Sequence, residues 1–399
     1  MIPVMRWTLP ALLLSLVSGY AAEMPFLFRE DIFPLDPKHN HASSLVLLPD
    51  GGLIACWYRG SGERTADDVQ VMAAVRPRGE KTWSAPFVLV DQPGYPDTNP
   101  VLFIDRQGRL WLFWQTILAN TWESAITNFR MAEKYAGRGL PRWDRAGLIL
   151  PKPVRIEEAA AALAARASGT AWEQAARKIA AMAKDRLATR LGWMTRAHPV
   201  QLPSGRILLP MYSDGFDFSL VAISDDGGLT WRGSEPIQSV AGIQPTFAVK
   251  KDGTIVAYLR DNGPPPKRVQ VSYSRDQGET WTPAVDTEIP NSGTGLEVIN
   301  LRDGRWLMVN NDTEQGRHSL AITISGDEGA TWKWKRHIEL DTRAVRPGSF
   351  HYPSVLQAPD GTIHLTYSVF LNHLPEGQPR KTIRYARFNL AWVEQGDPH

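Results

Sequence analysis

The 399-residue chain carries 44 Lys+Arg against 42 Asp+Glu, a formal net charge of +2 at pH 7. With 22% charged and 43% hydrophobic residues, this composition excludes a disordered chain, a coiled coil and a strongly basic nucleic-acid binder. The 15 Trp, 13 Phe, 10 Tyr, 32 Gly and 30 Pro favour short strands and tight turns over long helices.

At the N-terminus, Arg6 and the apolar run from Leu9 to Val17 lead into the small residues Gly19-Tyr20-Ala21-Ala22. The pattern predicts a signal peptide over residues 1–22, too short to span a bilayer. No later segment is apolar enough to span one, so an exported protein, periplasmic or secreted, is expected. Residues 23–399 are expected to form one domain acting as a monomer. Cys56 is the single cysteine, which excludes an intrachain disulfide.

From His41 onward a hairpin unit recurs. His41, Asn99, His198, Gln244, Gly295 and Tyr352 each open an alternating apolar strand, closed by a turn glycine at 51, 108, 205, 253, 304 and 361. A second apolar strand follows each glycine, as in Leu110-Trp-Leu-Phe-Trp114. Six units of about 50 residues predict an all-β, six-bladed propeller. One segment departs from the period. Glu157 to Leu191 is Ala-rich, and we expect a helical insertion over about 155–192, either a surface addition or a lid.

In step with the hairpins run three octapeptides, Ser224-Asp-Asp-Gly-Gly-Leu-Thr-Trp231, Ser274-Arg-Asp-Gln-Gly-Glu-Thr-Trp281 and Ser325-Gly-Asp-Glu-Gly-Ala-Thr-Trp332. A worn copy, Arg78-Gly-Glu-Lys-Thr-Trp83, precedes them. Asp at the third position can bond turn amides, Gly at the fifth allows positive φ, and Trp packs under the hairpin. No zinc-binding His-Glu-x-x-His, paired cysteine or phosphate loop is present, so no metal or cofactor is expected. Residues opening the inner strands crowd one mouth of a propeller's channel, where ligand sites lie. Five of the six are polar. Taken singly, His41 and His198 fit structural histidines as well as ligands.

Ser-x-Asp-x-Gly-x-Thr-Trp octapeptides are the Asp boxes of sialidases, and the chain from residue 23 resembles that family, in its bacterial branch with BNR repeat-like domains. The resemblance implies an exo-acting glycoside hydrolase that releases a terminal acidic sugar from a glycan or glycoconjugate. In such enzymes three arginines hold the substrate carboxylate, a Tyr paired with a Glu attacks, and an Asp is the acid/base. Position by position, Arg260 and Arg317 match two arginines, and Tyr352, opening Tyr-Pro-Ser-Val-Leu, matches the nucleophile. Two positions depart: His41 stands where the first arginine belongs, and Gln244 replaces the Glu. The acid/base falls in the loop Arg59–Asp68, with Asp68, Glu63 or Asp67 as candidates. Glu297 shares a strand face with Gly295 and is a candidate replacement partner for Tyr352. Asn99, His41, His198 and Gln244 complete the expected substrate-binding set. The alternatives are a lyase acting on uronate-containing polysaccharide and a non-catalytic glycan-binding propeller.

Overall fold

The computed structural model describes residues 24–135 and 141–398; the expected signal peptide lies outside them. Six antiparallel sheets stand around a central channel. The first blade is built from His39–Leu47, Leu53–Gly60, Gln70–Arg76 and Phe87–Val90, and the second from Asp97–Ile104, Leu110–Ile117, Ala125–Ala132 and Arg145–Ile149. In the third, the inner strand is split into Met194–Thr195 and Val200–Gln201, followed by Ile207–Ser213, Phe218–Ser224 and Arg232–Gly233. The fourth comprises Gly242–Val249, Ile255–Asp261, Arg268–Ser274 and Val285–Pro290; the fifth Glu297–Asn300, Trp306–Asn310, Ser319–Ser325 and Lys333–Leu340. The sixth takes Ser349–Gln357, Ile363–Phe370 and Lys381–Phe388, and its outer strand, Leu27–Asp31, comes from the other end of the chain. Leu27 pairs with Phe388 and Asp31 with Arg384, so the two ends of the chain close the ring together.

Each first hairpin turns on its expected glycine. Gly51, Gly108, Gly205, Gly253, Gly304 and Gly361 all lie at φ between 76° and 93°, a region closed to most side chains. Blades bury their apolar faces against one another: Val46, Ile54 and Val71 of the first pack with Leu102, Leu112 and Trp114 of the second. The Asp boxes follow the expected mechanics. In the third blade the Gly228 N–H donates to Ser224 Oγ (2.7 Å) and the Thr230 N–H to Asp226 Oδ1 (2.9 Å). The tryptophans go further than expected. Trp231, Trp332 and the worn copy's Trp83 pack edge-on against Phe113, Tyr258 and Tyr385 of the preceding blade. They tie blades together as well as closing hairpins.

The insertion forms two helices, Ile156–Ala167 and Glu173–Met182. Ala159, Ala160, Leu163 and Ile179 bury against Phe113 and Phe129 of the second blade and Phe216 and Phe218 of the third. Small alanine faces let the helices lie close on this seam.

Two glycines separate backbone strain from crowding. Gly329 (φ +84°) faces the Tyr258 hydroxyl and the Trp306 ring, whereas a Cβ at Gly253 (φ +87°) would meet nothing within 4 Å. We expect Gly253→Ala to cost about 1 kcal/mol and Gly329→Ala about 3 kcal/mol or more. Urea midpoints of the two variants check this; equal losses would mean that the Asp-box turn is not close-packed.

Candidate active site

The mouth of the channel is shaped by a repeated irregularity. In four of the six inner strands the ladder slips by one residue, between His41 and Ser44, Thr98 and Val101, Ile243 and Thr246, and His351 and Ser354. Each slip holds one non-glycine residue at positive φ: Ala42 (52°), Asn99 (45°), Gln244 (52°) and Tyr352 (55°). In the last three cases the next residue is proline, which has no N–H to give to the ladder. Bulges of this kind re-aim side chains.

They help to enclose a cavity of about 370 Å³, lined by His41, Tyr58, Glu63, Asn99, Trp122, Tyr212, Asp214, Gln244, Arg260, Arg317 and Tyr352. Tyr352 is its centre. Arg260 Nη1 donates to the phenol oxygen at 2.9 Å and Gln244 Nε2 at 3.2 Å. The guanidinium carbons of Arg196 and Arg317 lie 4.8 Å and 5.7 Å from the centroid of the ring. Arg260 also reaches Gln244 Oε1 (3.3 Å) and Asn262 Oδ1 (3.0 Å), while its buried Nε has no partner among the described residues. Asn99 Nδ2 donates to Tyr212 Oη at 3.3 Å.

Two imidazoles sit beside these cations. His41 and His351 are both held well below the usual histidine range, first by burial, then by His351, His39 and Arg317 in the case of His41 and by Arg317, His39, Arg196 and Arg260 in the case of His351. Both are neutral at pH 7. Glu63 behaves oppositely. Burial would raise it, but the adjacent His39 and His41 imidazoles and the Tyr58 hydroxyl bring it down to about 2. Its carboxylate is therefore ionised, 3.0 Å from both His39 Nε2 and Tyr58 Oη. Asp214 is pushed up to about 6, by burial first, with Asp217 and Glu123 adding to the shift against Arg260.

The structure gathers His41, Asn99, Gln244, Arg260, Arg317, Tyr352 and Glu63 around this cavity. It corrects four expectations. Asp68 lines no part of the cavity; its carboxylate caps Ser61 N (2.8 Å) and Ser61 Oγ (2.7 Å) and pairs with Lys38 Nζ (2.9 Å). Asp67 is likewise engaged, accepting from Asn120 Nδ2 at 2.9 Å. Glu297 does not reach Tyr352: it binds His198 Nδ1 (2.7 Å) and the Val355 N–H (2.7 Å) deeper in the channel. His198 is therefore structural, its Nε2 meeting the Leu45 carbonyl at 2.9 Å. Among the described residues no carboxylate hydrogen-bonds the Tyr352 hydroxyl, and none of the His, Cys, Asp and Glu side chains group to hold a metal ion.

Sequence reasoning missed Arg196, Tyr58, Tyr212, Trp122 and Asp214. Tyr58 was within reach: it pairs with His41 just before the bulge, as Arg260 pairs with Ile243. Asp214, in a loop, and Arg196, beside the split inner strand, carry no periodic signal.

A closed six-bladed propeller with an arginine-lined polar mouth is the sialidase type of fold. Residues 51–365 match the BNR repeat-like domain, and the chain belongs to that family. A sialidase of Micromonospora viridifaciens is 29% identical over 188 residues, 44% of this chain and 26% of that protein. One from Clostridium perfringens is 32% identical over 136 residues, 29% of this chain and 35% of that protein. The matches thus span about a quarter to a third of those relatives. Among solved structures, a leech intramolecular trans-sialidase in complex with 2,7-anhydro-Neu5Ac superposes with a TM-score of 0.68 at 15% identity, over 92% of this chain and 71% of that one. The intramolecular trans-sialidase of Ruminococcus gnavus gives 0.65 at 17% identity, over 89% and 95%.

The buried Glu297–His198 pair yields a stability prediction. Burial alone would raise Glu297, but His198 and Arg196 hold it below the carboxylate range; burial alone would lower His198, but Glu297 holds it above the imidazole range. The carboxylate's contribution is present above about pH 4.3 and is lost as pH falls through its native value. The imidazole's is full below about pH 6.5 and is lost as pH rises through its own. Glu297→Ala should therefore cost about 3–5 kcal/mol near pH 6, narrowing at more acid and more alkaline pH. Denaturant unfolding at several pH values checks this, and a pH-independent deficit would contradict it.

Proposed function

We propose that the mouth cavity receives the terminal sugar of an acidic glycan and that the chain is a glycoside hydrolase of sialidase type releasing that sugar. The convergence of Arg260 and Arg317 on Tyr352 inside one small polar cavity carries this reading. A carboxylated sugar supplies the anion that two forked cations and an unpartnered guanidinium N–H call for. Tyr352 is then the group facing the anomeric carbon, and a neutral phenol meets no repulsion from the sugar's carboxylate. The sialidase relatives support sialic acid or a near relative as the sugar. Export, expected from residues 1–22, would bring the protein to such glycans.

Gln244 favours a second reading. Its amide donates to the phenol and cannot usefully take a proton from it, as a propeller that binds acidic glycans without cleaving them would allow.

Release of fluorophore from a 4-methylumbelliferyl α-sialoside, followed alongside calorimetric binding of free sialic acid, separates the two. Turnover is the expected result. Saturable binding without product from any acidic glycoside would select the binding reading, and a new ultraviolet absorbance from an unsaturated sugar would select a lyase. Under either of the first two, Arg317→Ala should weaken binding of the acid by about 10–100-fold, the worth of one charge-assisted contact. Unchanged affinity would remove the carboxylate clamp.

A further inference from the structure

We propose that Asp214 is the general acid of this cavity, giving its proton to the glycosidic oxygen as the bond to the terminal sugar breaks. This rests on the hydrolase reading above and assigns a step for which Glu63, the one residue of the Arg59–Asp68 loop on the cavity wall, is already engaged by Tyr58 and His39. The glycosidic C–O bond breaks with its electron pair on oxygen, which takes the Asp214 proton and leaves as the alcohol. A water oxygen ends bonded to the anomeric carbon and gives up one proton, which returns Asp214 to its acid form, so one water is consumed and every proton is placed.

Asp214 opens the short loop 214–217 between Ile207–Ser213 and Phe218–Ser224. That loop is held from several sides. Phe216 is buried and stacked on Trp193 (5.7 Å, 7° between planes), and its N–H donates to Ser213 Oγ at 3.3 Å. Asp217, at φ 49°, accepts from Asn262 Nδ2 at 3.1 Å, and Asn262 in turn accepts from Arg260. A Cβ at Gly215 would press on the Glu123 side chain at 2.9 Å. The loop is thus fixed against the short turn Trp122–Ser124 and against the arginine that binds Tyr352.

Only two carboxyl groups line the cavity among the described residues, and they differ in what they touch. Glu63 is engaged by Tyr58 and His39, and faces His41, Arg317 and Lys381 as well. The Asp214 carboxyl has no hydrogen-bond partner among the described residues; Arg260, Arg64, Asp217, Glu123 and Tyr212 face it at longer range. With Asp214 near 6 and Glu63 near 2, one of the pair holds a proton under mildly acid conditions while the other stays ionised. Two carboxyls pushed apart in this way mark an acid and its ionised counterpart.

The test compares two leaving groups. An aryl α-sialoside with a nitrophenol leaving group needs little protonation, whereas a lactosyl α-sialoside leaves as an alcohol and depends on the acid. In the wild-type protein, kcat/KM for the lactosyl substrate should fall above about pH 6 and that for the aryl substrate should not; this measurement needs no variant. Asp214→Asn should lose about 10²–10⁴-fold on the lactosyl substrate, the usual worth of a positioned acid, less than tenfold on the aryl one, and the alkaline limb. Asp214→Glu should restore part of the loss. Equal losses on both substrates would make Asp214 a substrate contact and overturn the proposal while leaving the hydrolase reading standing. A wild-type protein that cleaves neither substrate would remove both.

Discussion

An inner propeller strand with an unbroken pleat sends alternate side chains into the neighbouring blades, and its backbone, not its side chains, faces the axis at the mouth. The slip found in four of the six inner strands changes that. One extra residue at positive φ turns a side chain toward the mouth, at a strain of about 1–3 kcal/mol. Asn99, Gln244 and Tyr352 occupy the slipped position itself, and in the first blade the small Ala42 leaves that room to its neighbour His41. The walls of the cavity therefore come from separate blades. Their spacing depends on how the blades pack, which is where the interblade tryptophans and the shared sixth blade act. A site assembled this way is held by the whole ring.

Charge is distributed around that frame in a definite order. Arg196 lies buried against the Tyr352 ring with its Nη2 on the Pro353 carbonyl at 2.7 Å, while Arg260 and Arg317 reach the cavity wall. His41 and His351 add no positive charge, because burial and the adjacent arginines keep them neutral. Glu63, on the cavity wall, contacts His39, and Glu297, away from that wall, pairs with His198. With Asp214 protonated, as it is below about pH 6, Arg260 and Arg317 outnumber the Glu63 carboxylate in a region shielded from water, where such an excess is worth more than on the surface. An anion of the ligand is its natural complement.

Much of this was legible in the chain, and the failures have identifiable causes. The Asp boxes and turn glycines carry local turn chemistry, so the period, the blade number and the strand openings could be read directly. Gln244 and Tyr352 follow from their place in that period, and Arg260 and Arg317 from the resemblance to sialidases. Glu297 was placed on the right face at the wrong depth. A Cβ on Gly295 would meet Gln244 and Tyr352, so that face does look into the mouth, but two residues along a strand move a side chain about 6–7 Å. The Glu297 carboxylate accordingly falls beneath the tyrosine, on His198. Asp68 failed differently. Counting residues finds the loop but not its turn, and the local competition for Ser61 and Lys38 points Asp68 away while Glu63 faces in. Asp214 belongs to a loop whose shape depends on the fit of Phe216 to Trp193, a contact between chain positions that no local pattern announces.

Gln244 draws these strands together. Beside Arg260 and Tyr352, an amide keeps both contacts of the hydrogen-bond network: Oε1 accepts from Arg260, and Nε2 donates to the phenol. A carboxylate in the same place would keep the first, replace the second by accepting the phenol's proton, and cancel most of the positive charge of Arg260. The amide thus leaves the positive charge of Arg260 in the cavity and puts no base next to the tyrosine. With that base absent, the proton chemistry of the site shifts to the remaining carboxyl groups, and their separation by environment becomes the feature on which any reaction here depends. Gln244, Asp214 and Glu63 form one electrostatic arrangement, in which the neutral amide leaves the charge of Arg260 uncancelled and, below about pH 6, Asp214 holds a proton while Glu63 stays ionised.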